Sequence, residues 1–331
     1  VSGVLARIAN RSLDTLFFPV MDTFWRGRAE GRLVCFLYHR VASAGVFPFI
    51  EKAGASAISP DALSEELKFL RDQGARFMSF ADLRRGEFPA KKEIGVIVSF
   101  DDGFRDNYEA GLDVLDSLGI SGVIFQSSAL VDSQKLIWEH ALYWIADNPA
   151  MYAELEKRTH AAYAASASLT GNALVHYLRE SVPVAEVESL LSEITEQGSA
   201  AQAQALLAEK LYPTAKHLRM ARDRGHEIGS HGHRHYMRVN IDATVFEDEL
   251  RMSSQRLGDI LGEPPAAFSY PFNSYLPGDR EICERYYQQI VTVDGKPISQ
   301  SGSPFEIPRF SWPGPARNRL RQRRWLWTGK I

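Results

Sequence analysis

A chain of 331 residues, 45% hydrophobic and 24% charged, is too apolar to be disordered and long enough to bury a sizeable core, as one large domain or two ordinary ones. A net charge of −3 offers no global field for nucleic acid, and the two cysteines, Cys35 and Cys283, lie too far apart in sequence to mark a disulfide framework. No run of about 18 apolar residues occurs, so no membrane-spanning helix is expected.

Residues 4–25 set Leu5, Ile8, Leu13, Leu16, Phe17, Phe18 and Val20 among polar positions. This N-terminal segment, 1–31, reads as a helix packed on the domain, with an interfacial membrane helix as the alternative. Leu33–Tyr38 is an apolar strand. Ser59-Pro60-Asp61 opens a helix: Ser59 suits the N-cap, Pro60 the first turn, and Leu63, Leu67 and Leu70 recur at helical spacing. Phe77–Phe80 reads as a short strand. Ile94–Phe100 is a strong one, apolar apart from Gly95 and Ser99. A helix over 104–118 ends at Gly119, and Gly122–Gln126 is the next strand. Strands alternating with helices predict a mostly parallel sheet or barrel.

The pattern then changes. Residues 135–220 lose their β-branched runs and become rich in Ala, Leu, Glu and Gln, with helices near 138–147, 149–166, 171–180, 184–196 and 200–211. The alternation resumes with a strand at Glu227–Ser230 and a helix at 243–261, stopped by Gly262 and Pro264-Pro265. A strand at Ala267–Tyr270, a helix at Pro277–Tyr286, and strands at Gln289–Val293 and Phe305–Phe310 complete it. The chain divides into an α/β part at 32–134, a helical insertion at 135–216, a second α/β part at 217–315 and a basic tail at 316–331. In the tail, Arg317, Arg319, Arg321, Arg323, Arg324 and Lys330 interleave with Trp325 and Trp327. That composition suits a solvated terminus, or peripheral contact with an anionic membrane surface.

Two segments carry chemistry. Val98–Gly103 is an apolar strand ending in Asp101-Asp102, and His231-Gly232-His233-Arg234-His235 comes just after another strand. Active sites of parallel α/β folds sit at the carboxyl ends of strands. Adjacent side chains on a regular strand point to opposite faces, so both carboxylates share a site only if the chain is already turning, which Gly103 permits. His231 and His235, at i and i+4, share a face in a helical turn, while His233 points elsewhere. One Asp and two His form a sufficient ligand set for a divalent metal with open positions for water and substrate. Zinc suits these donors, and nickel, cobalt or iron(II) fit them too. The chemistry implied is metal-assisted hydrolysis.

Ser99-Phe100-Asp101-Asp102-Gly103, His231–His235 and Phe268-Ser269-Tyr270-Pro271-Phe272-Asn273 resemble, in order, three motifs of the NodB-type polysaccharide deacetylases, the family-four carbohydrate esterases. The resemblance spans roughly residues 32–130 and 217–312. It implies a distorted (β/α) barrel, often of seven strands, here carrying an inserted helical subdomain. It further implies Asp101 as catalytic base, Asp102, His231 and His235 as metal ligands, the Phe272 backbone N–H as oxyanion donor and Tyr270 as a supporting residue. The chain departs from the pattern twice. No histidine occurs after His235, so the usual C-terminal Leu-x-His is missing. His39, after Phe36-Leu37-Tyr38, resembles instead the acid histidine that poly-N-acetylglucosamine deacetylases supply from the first strand. Ser269 stands where the third motif usually has Arg, and Arg309 either orients Asp101 in its place or forms a structural ion pair. The implied activity is metal-dependent removal of N-acetyl groups from amino sugars of a bacterial surface polysaccharide or its precursor, in the cytoplasm or at the inner-membrane periphery. Deformylation or O-deacetylation, including on a lipid-linked sugar, and a non-catalytic glycan-binding role are the alternatives.

Overall fold

The computed structural model describes residue 27 and residues 30–311 except 197, 301 and 304. The helix expected at 4–25 and the basic tail lie outside the described residues. The strands are β1 (Arg32–Tyr38), β2 (Arg40–Val41), β3 (Ala57–Ile58), β4 (Ala75–Phe77), β5 (Ile94–Phe100), β6 (Val123–Gln126), β7 (Glu227–Ser230), β8 (Ala267–Ser269), β9 (Gln289–Thr292), β10 (Glu306–Pro308) and β11 (Phe310–Ser311). The main sheet runs β10-β9-β8-β7-β6-β5-β1-β11, with β4 beside the first half of β5. Every pair in it is parallel.

The two ends of that order are one piece of chain. β10 pairs with β9 and β11 with β1, and only Arg309 separates them. The last strand therefore closes the sheet on itself, giving the expected distorted (β/α) barrel. Its staves are seven: β1, β5 to β9, and the split β10–β11.

Strand parity sets what faces inward. Leu33, Cys35, Ile97, Val123, Phe125, Ala267, Val291 and Ile307 form one buried cluster, the barrel interior. The alternate residues Val34, Phe36, Tyr38, Val96, Val98 and Phe100 pack outward with Leu63, Leu67 and Leu70. These leucines line one side of α2 (Pro60–Asp72), which Ser59 caps by accepting from the Ala62 N–H. Continued past the strand ends, the inner parity reaches His39, Asp101, His231 and Arg309.

Several boundaries differ from the sequence reading. Phe77–Phe80 is no strand: β4 ends at Phe77, and a capping box at Ser79 and Asp82 starts α3 (Phe80–Arg84). The helix expected over 104–118 begins as a π-helical stretch, Asn107–Gly111, before α4 (Leu112–Ser117). There the buried Asn107 side chain donates to the His39 carbonyl at 2.6 Å. Such π-turns cluster at functional sites. The helix expected at 277–286 shortens to Asp279–Cys283. Both cysteines are free and buried.

The insertion is helical: α5 (Trp138–Ala146), α6 (Pro149–Ala162), α7 (Gly171–Ser181), α8 (Val184–Thr195) and α9 (Gly198–Leu211). Its core, with Leu142, Ile145, Leu155, Leu178 and Val187, is continuous with Phe49 and Ile50 of α1 (Pro48–Ala53) and with Phe104 after β5. Those contacts place it at the carboxyl end of the barrel. Two further helices come next: α10 (Ala215–Asp223), and α11 (Ala243–Leu261), which Asp242 caps and which ends at Gly262 in the left-handed region. Among the described residues no helix is long and apolar enough to cross a membrane.

Candidate active site

A cavity of about 350 Å³ opens at the carboxyl ends of the strands. Asp101, Asp102, His231, His235, His39 and Phe272 all line it, together with Glu139, His140 and Arg179 from the insertion.

Asp101 continues β5, its N–H donating to the Tyr38 carbonyl at 3.0 Å. The turn that lets Asp102 face the same cavity begins at Asp102 itself, whose φ is 68°, and continues through Gly103 at 78°. Gly103 has a second reason to be glycine: a Cβ there would meet the Gln126 side chain at 2.1 Å. The described residues include five non-glycine positions with positive φ, and four of them, Asp102, His235, Phe272 and Asn273, line this cavity. Backbone strain of this kind collects at working sites.

Asp102 Oδ1 lies 3.4 Å from His231 Nε2 and 3.2 Å from His235 Nε2. One donor atom from each residue falls within 4.8 Å of the others, and all three residues are buried. The expected helical turn is absent, since residues 231–237 are irregular, with Gly232 at φ 74° and His235 at φ 60°. A loop turned by two left-handed residues brings the imidazoles together. His233 points away, its Nδ1 lying 2.8 Å from Ser128 Oγ, and burial pushes its imidazole down to about 4.

The charges of these buried groups depend strongly on one another. Burial works to raise the Asp102 carboxyl, but His231 and His235 hold it well below the usual range. Burial opposes charge on His235 too, yet the flanking Asp102 and Glu139 carboxylates push its imidazole up to about 10. His235 Nε2 is buried without a hydrogen-bond partner among the described residues. One carboxylate and two imidazoles, with an unsatisfied ring nitrogen aimed among them, fit a divalent ion.

Asp101 is held differently. Arg309, 1% exposed, grips it with Nη1 on Oδ1 at 2.7 Å and Nη2 on Oδ2 at 2.7 Å. The same guanidinium donates to Ser269 Oγ at 2.8 Å and Ser99 Oγ at 3.2 Å. Burial alone would raise the Asp101 carboxyl, but Arg309 and His231 hold it below the usual range. Ser269, which stands where arginine was expected, leaves the room that Arg309 fills from the closing strand.

Phe272 sits at φ 58°, with its ring 4.6 Å from that of His235. Tyr270 is buried behind this turn, not in the cavity: its hydroxyl lies 3.3 Å from Cys283 Sγ and its ring stacks on Phe246. The residues that sequence reasoning missed come from the insertion. Glu139 Oε2 lies 3.3 Å from His235 Nδ1, and Arg179 lies over the Phe272 ring, 5.1 Å from its centroid. Glu139 had one legible signal, being the sole acidic residue of the mostly apolar Trp138–Ala146.

A polysaccharide deacetylase profile matches residues 89–286. The chain belongs to the polysaccharide deacetylase family. Among solved structures it is similar to IcaB from Ammonifex degensii, at 16% identity and TM-score 0.56, covering 90% of this chain and 97% of that one. The Streptococcus pyogenes deacetylase PplD matches at 18% identity and TM-score 0.53, covering 85% and 92%. The Bacillus anthracis protein BA0330 matches at 16% identity and TM-score 0.53 over 85% of this chain, which spans 65% of that longer protein. At such identities the likeness is one of fold. No curated protein matches the chain in sequence. Family membership makes the chain a deacetylase-type hydrolase, and the match takes in Asp101, Asp102, His231, His235 and Phe272 together with the whole insertion, 135–216.

Proposed function

We propose that this deacetylase removes N-acetyl groups from amino sugars of a bacterial surface polysaccharide or its precursor, and that it depends on a divalent metal. One observation carries the reading. An arginine-anchored carboxylate, Asp101, stands in the same cavity as the Asp102–His231–His235 cluster. When bound by those three residues, a divalent ion supplies Lewis-acid polarisation and a lowered water pKa. Zinc is the occupant we favour.

The chain's own groups do the rest. Asp101, kept ionised by Arg309, takes a proton from the attacking water. The Phe272 backbone N–H stabilises the oxyanion that forms at the acyl oxygen. His39, at the end of β1 and lining the cavity, gives a proton to the departing amine. The C–N bond breaks, leaving acetate and a free amino group. Glu139, His140 and Arg179 make the insertion one wall of the cavity, so we assign it a role in covering the substrate. The basic tail, if it contacts anionic lipid, would hold the enzyme at a membrane surface near such a glycan.

The test incubates metal-loaded protein with N-acetylated and O-acetylated oligosaccharides and tracks acetate and new amino groups by mass spectrometry. Free amine from the N-acetylated substrate supports the reading; acetate from O-acetyl groups alone overturns it. Asp101→Asn should keep the metal and lose at least the roughly 10²–10⁴-fold of a positioned base. His235→Ala should lose metal and activity together, and full occupancy in that variant would remove His235 from the ligand set.

A further inference from the structure

The two imidazoles of the site are each held from behind. His231 Nδ1 lies 2.8 Å from the Ser269 carbonyl, so its Nε2 is the atom that faces Asp102. His235 Nδ1 faces Glu139 Oε2 at 3.3 Å, which again leaves Nε2 toward Asp102. The first support belongs to the barrel. The second comes from the insertion, at the first turn of α5.

A 2% exposed glutamate in a mostly apolar helix needs a reason, because a buried carboxylate without compensation is strongly destabilising. Glu139 has two nitrogen-bearing neighbours, the His235 ring and the Arg179 guanidinium, whose Nε lies 4.0 Å from Glu139 Oε1. Glu139 Oε1, Arg179 Nε and His235 Nδ1 are all buried without hydrogen-bond partners among the described residues. Trp138, the preceding residue, donates its Nε1–H to the His235 carbonyl at 3.2 Å. Consecutive residues of α5 thus hold both the backbone and the ring of a histidine that has no helix of its own to stiffen it.

We infer that Glu139 is the outer-sphere carboxylate of the metal centre, a positioning residue supplied by the helical insertion that holds His235 through Nδ1 and sets how tightly the ion is kept. The inference rests on the metal reading of this cavity. A carboxylate behind a ligating imidazole fixes its tautomer and raises its basicity, and losing such a partner typically costs about 10–100-fold in metal affinity. The barrel strands supply the ligands, and the insertion supplies part of their grip.

The experiment uses the full chain and zinc. Affinity is measured by competition with a chromophoric chelator for wild type, Glu139→Gln and Glu139→Asp, with circular dichroism to confirm folding. Glu139→Gln should bind zinc about 10–100-fold more weakly, with Glu139→Asp in between. In the cobalt-substituted protein, the exchangeable His235 Nδ1 proton should give a paramagnetically shifted resonance that exchanges faster in Glu139→Gln. If Glu139→Gln does not fold, Glu139→Asp and the wild-type resonance carry the test. Affinities within twofold of wild type, or a wild-type His235 proton as exposed to exchange as that of a free imidazole, overturn the inference. Wild-type protein that binds no zinc or cobalt would fail the metal reading itself, a separate result.

Discussion

Replacing Arg309 by Met separates the roles of the barrel's closing strand. The native guanidinium is buried and makes two hydrogen bonds to Asp101 and one each to Ser99 and Ser269. Methionine fills much of the space and restores none of them, leaving Asp101 buried beside an apolar chain. Removing one partner of a buried ion pair costs roughly 3–5 kcal/mol. At about 2–4 °C per kcal/mol for a chain of this size, the melting temperature should fall on the order of 10 °C. The pH dependence has a definite sign. In the wild type the depressed Asp101 carboxyl contributes stability that is present above the ordinary aspartate value and is lost as pH falls through its lower folded value. Without Arg309, burial raises the carboxyl, so the stability gap between the proteins should be widest at pH 8 and narrow toward pH 5. The same rise should move the acid limb of the kcat/KM profile to higher pH, because the base protonates sooner. Urea unfolding at several pH values and a pH–rate profile read the two effects. An acid limb in its wild-type position, or a gap that widens toward acid, would refute the account.

His39→Ala should retain metal and lose roughly 10²–10⁴-fold in turnover, with a smaller loss on substrates bearing better leaving groups; unchanged turnover would send the acid role elsewhere. His140 predicts an acid weakness. Packed against Phe104, and with Nδ1 2.7 Å from the Tyr212 hydroxyl, its imidazole is pushed down to about 3 by burial. Its neutral form contributes stability that is full above its unfolded value near 6.5 and is lost as pH falls, about 2 kcal/mol by pH 5. His140→Gln should remove that part of the pH slope in urea unfolding, and superimposable slopes would dismiss it.

The barrel was legible because its strands carry their own signal. Ile94–Phe100 reads as an apolar run, Glu227–Ser230 falls where the strand–helix alternation resumes, and the Gly262 stop placed the end of α11 correctly. The chemistry-bearing residues at those strand ends were legible for the same reason. What failed was local conformation set by tertiary contact. The His231–His235 spacing suggests a helical turn, but the loop needs left-handed backbone at Gly232 and His235, which no periodicity announces. Tyr270 sits in a motif yet spends its ring on the cluster behind the site. Glu139 joins His235 across 96 positions of sequence, a contact that exists only once the insertion has docked. Arg309 was readable as a candidate, but its two-pronged grip on Asp101 needed the distances.

The seam at Arg309 has a consequence for how the molecule comes to be active. A chain synthesised only as far as β9 has six of its staves and every candidate ligand, base and acid, but leaves β1 and β9 as open edges and Asp101 without its counter-charge. The residue that grips Asp101 is the one lying between the two halves of the last stave. Closure of the barrel and delivery of the counter-charge to Asp101 are therefore one event, since the stretch that pairs with β9 and β1 is the stretch that carries Arg309 onto the carboxylate.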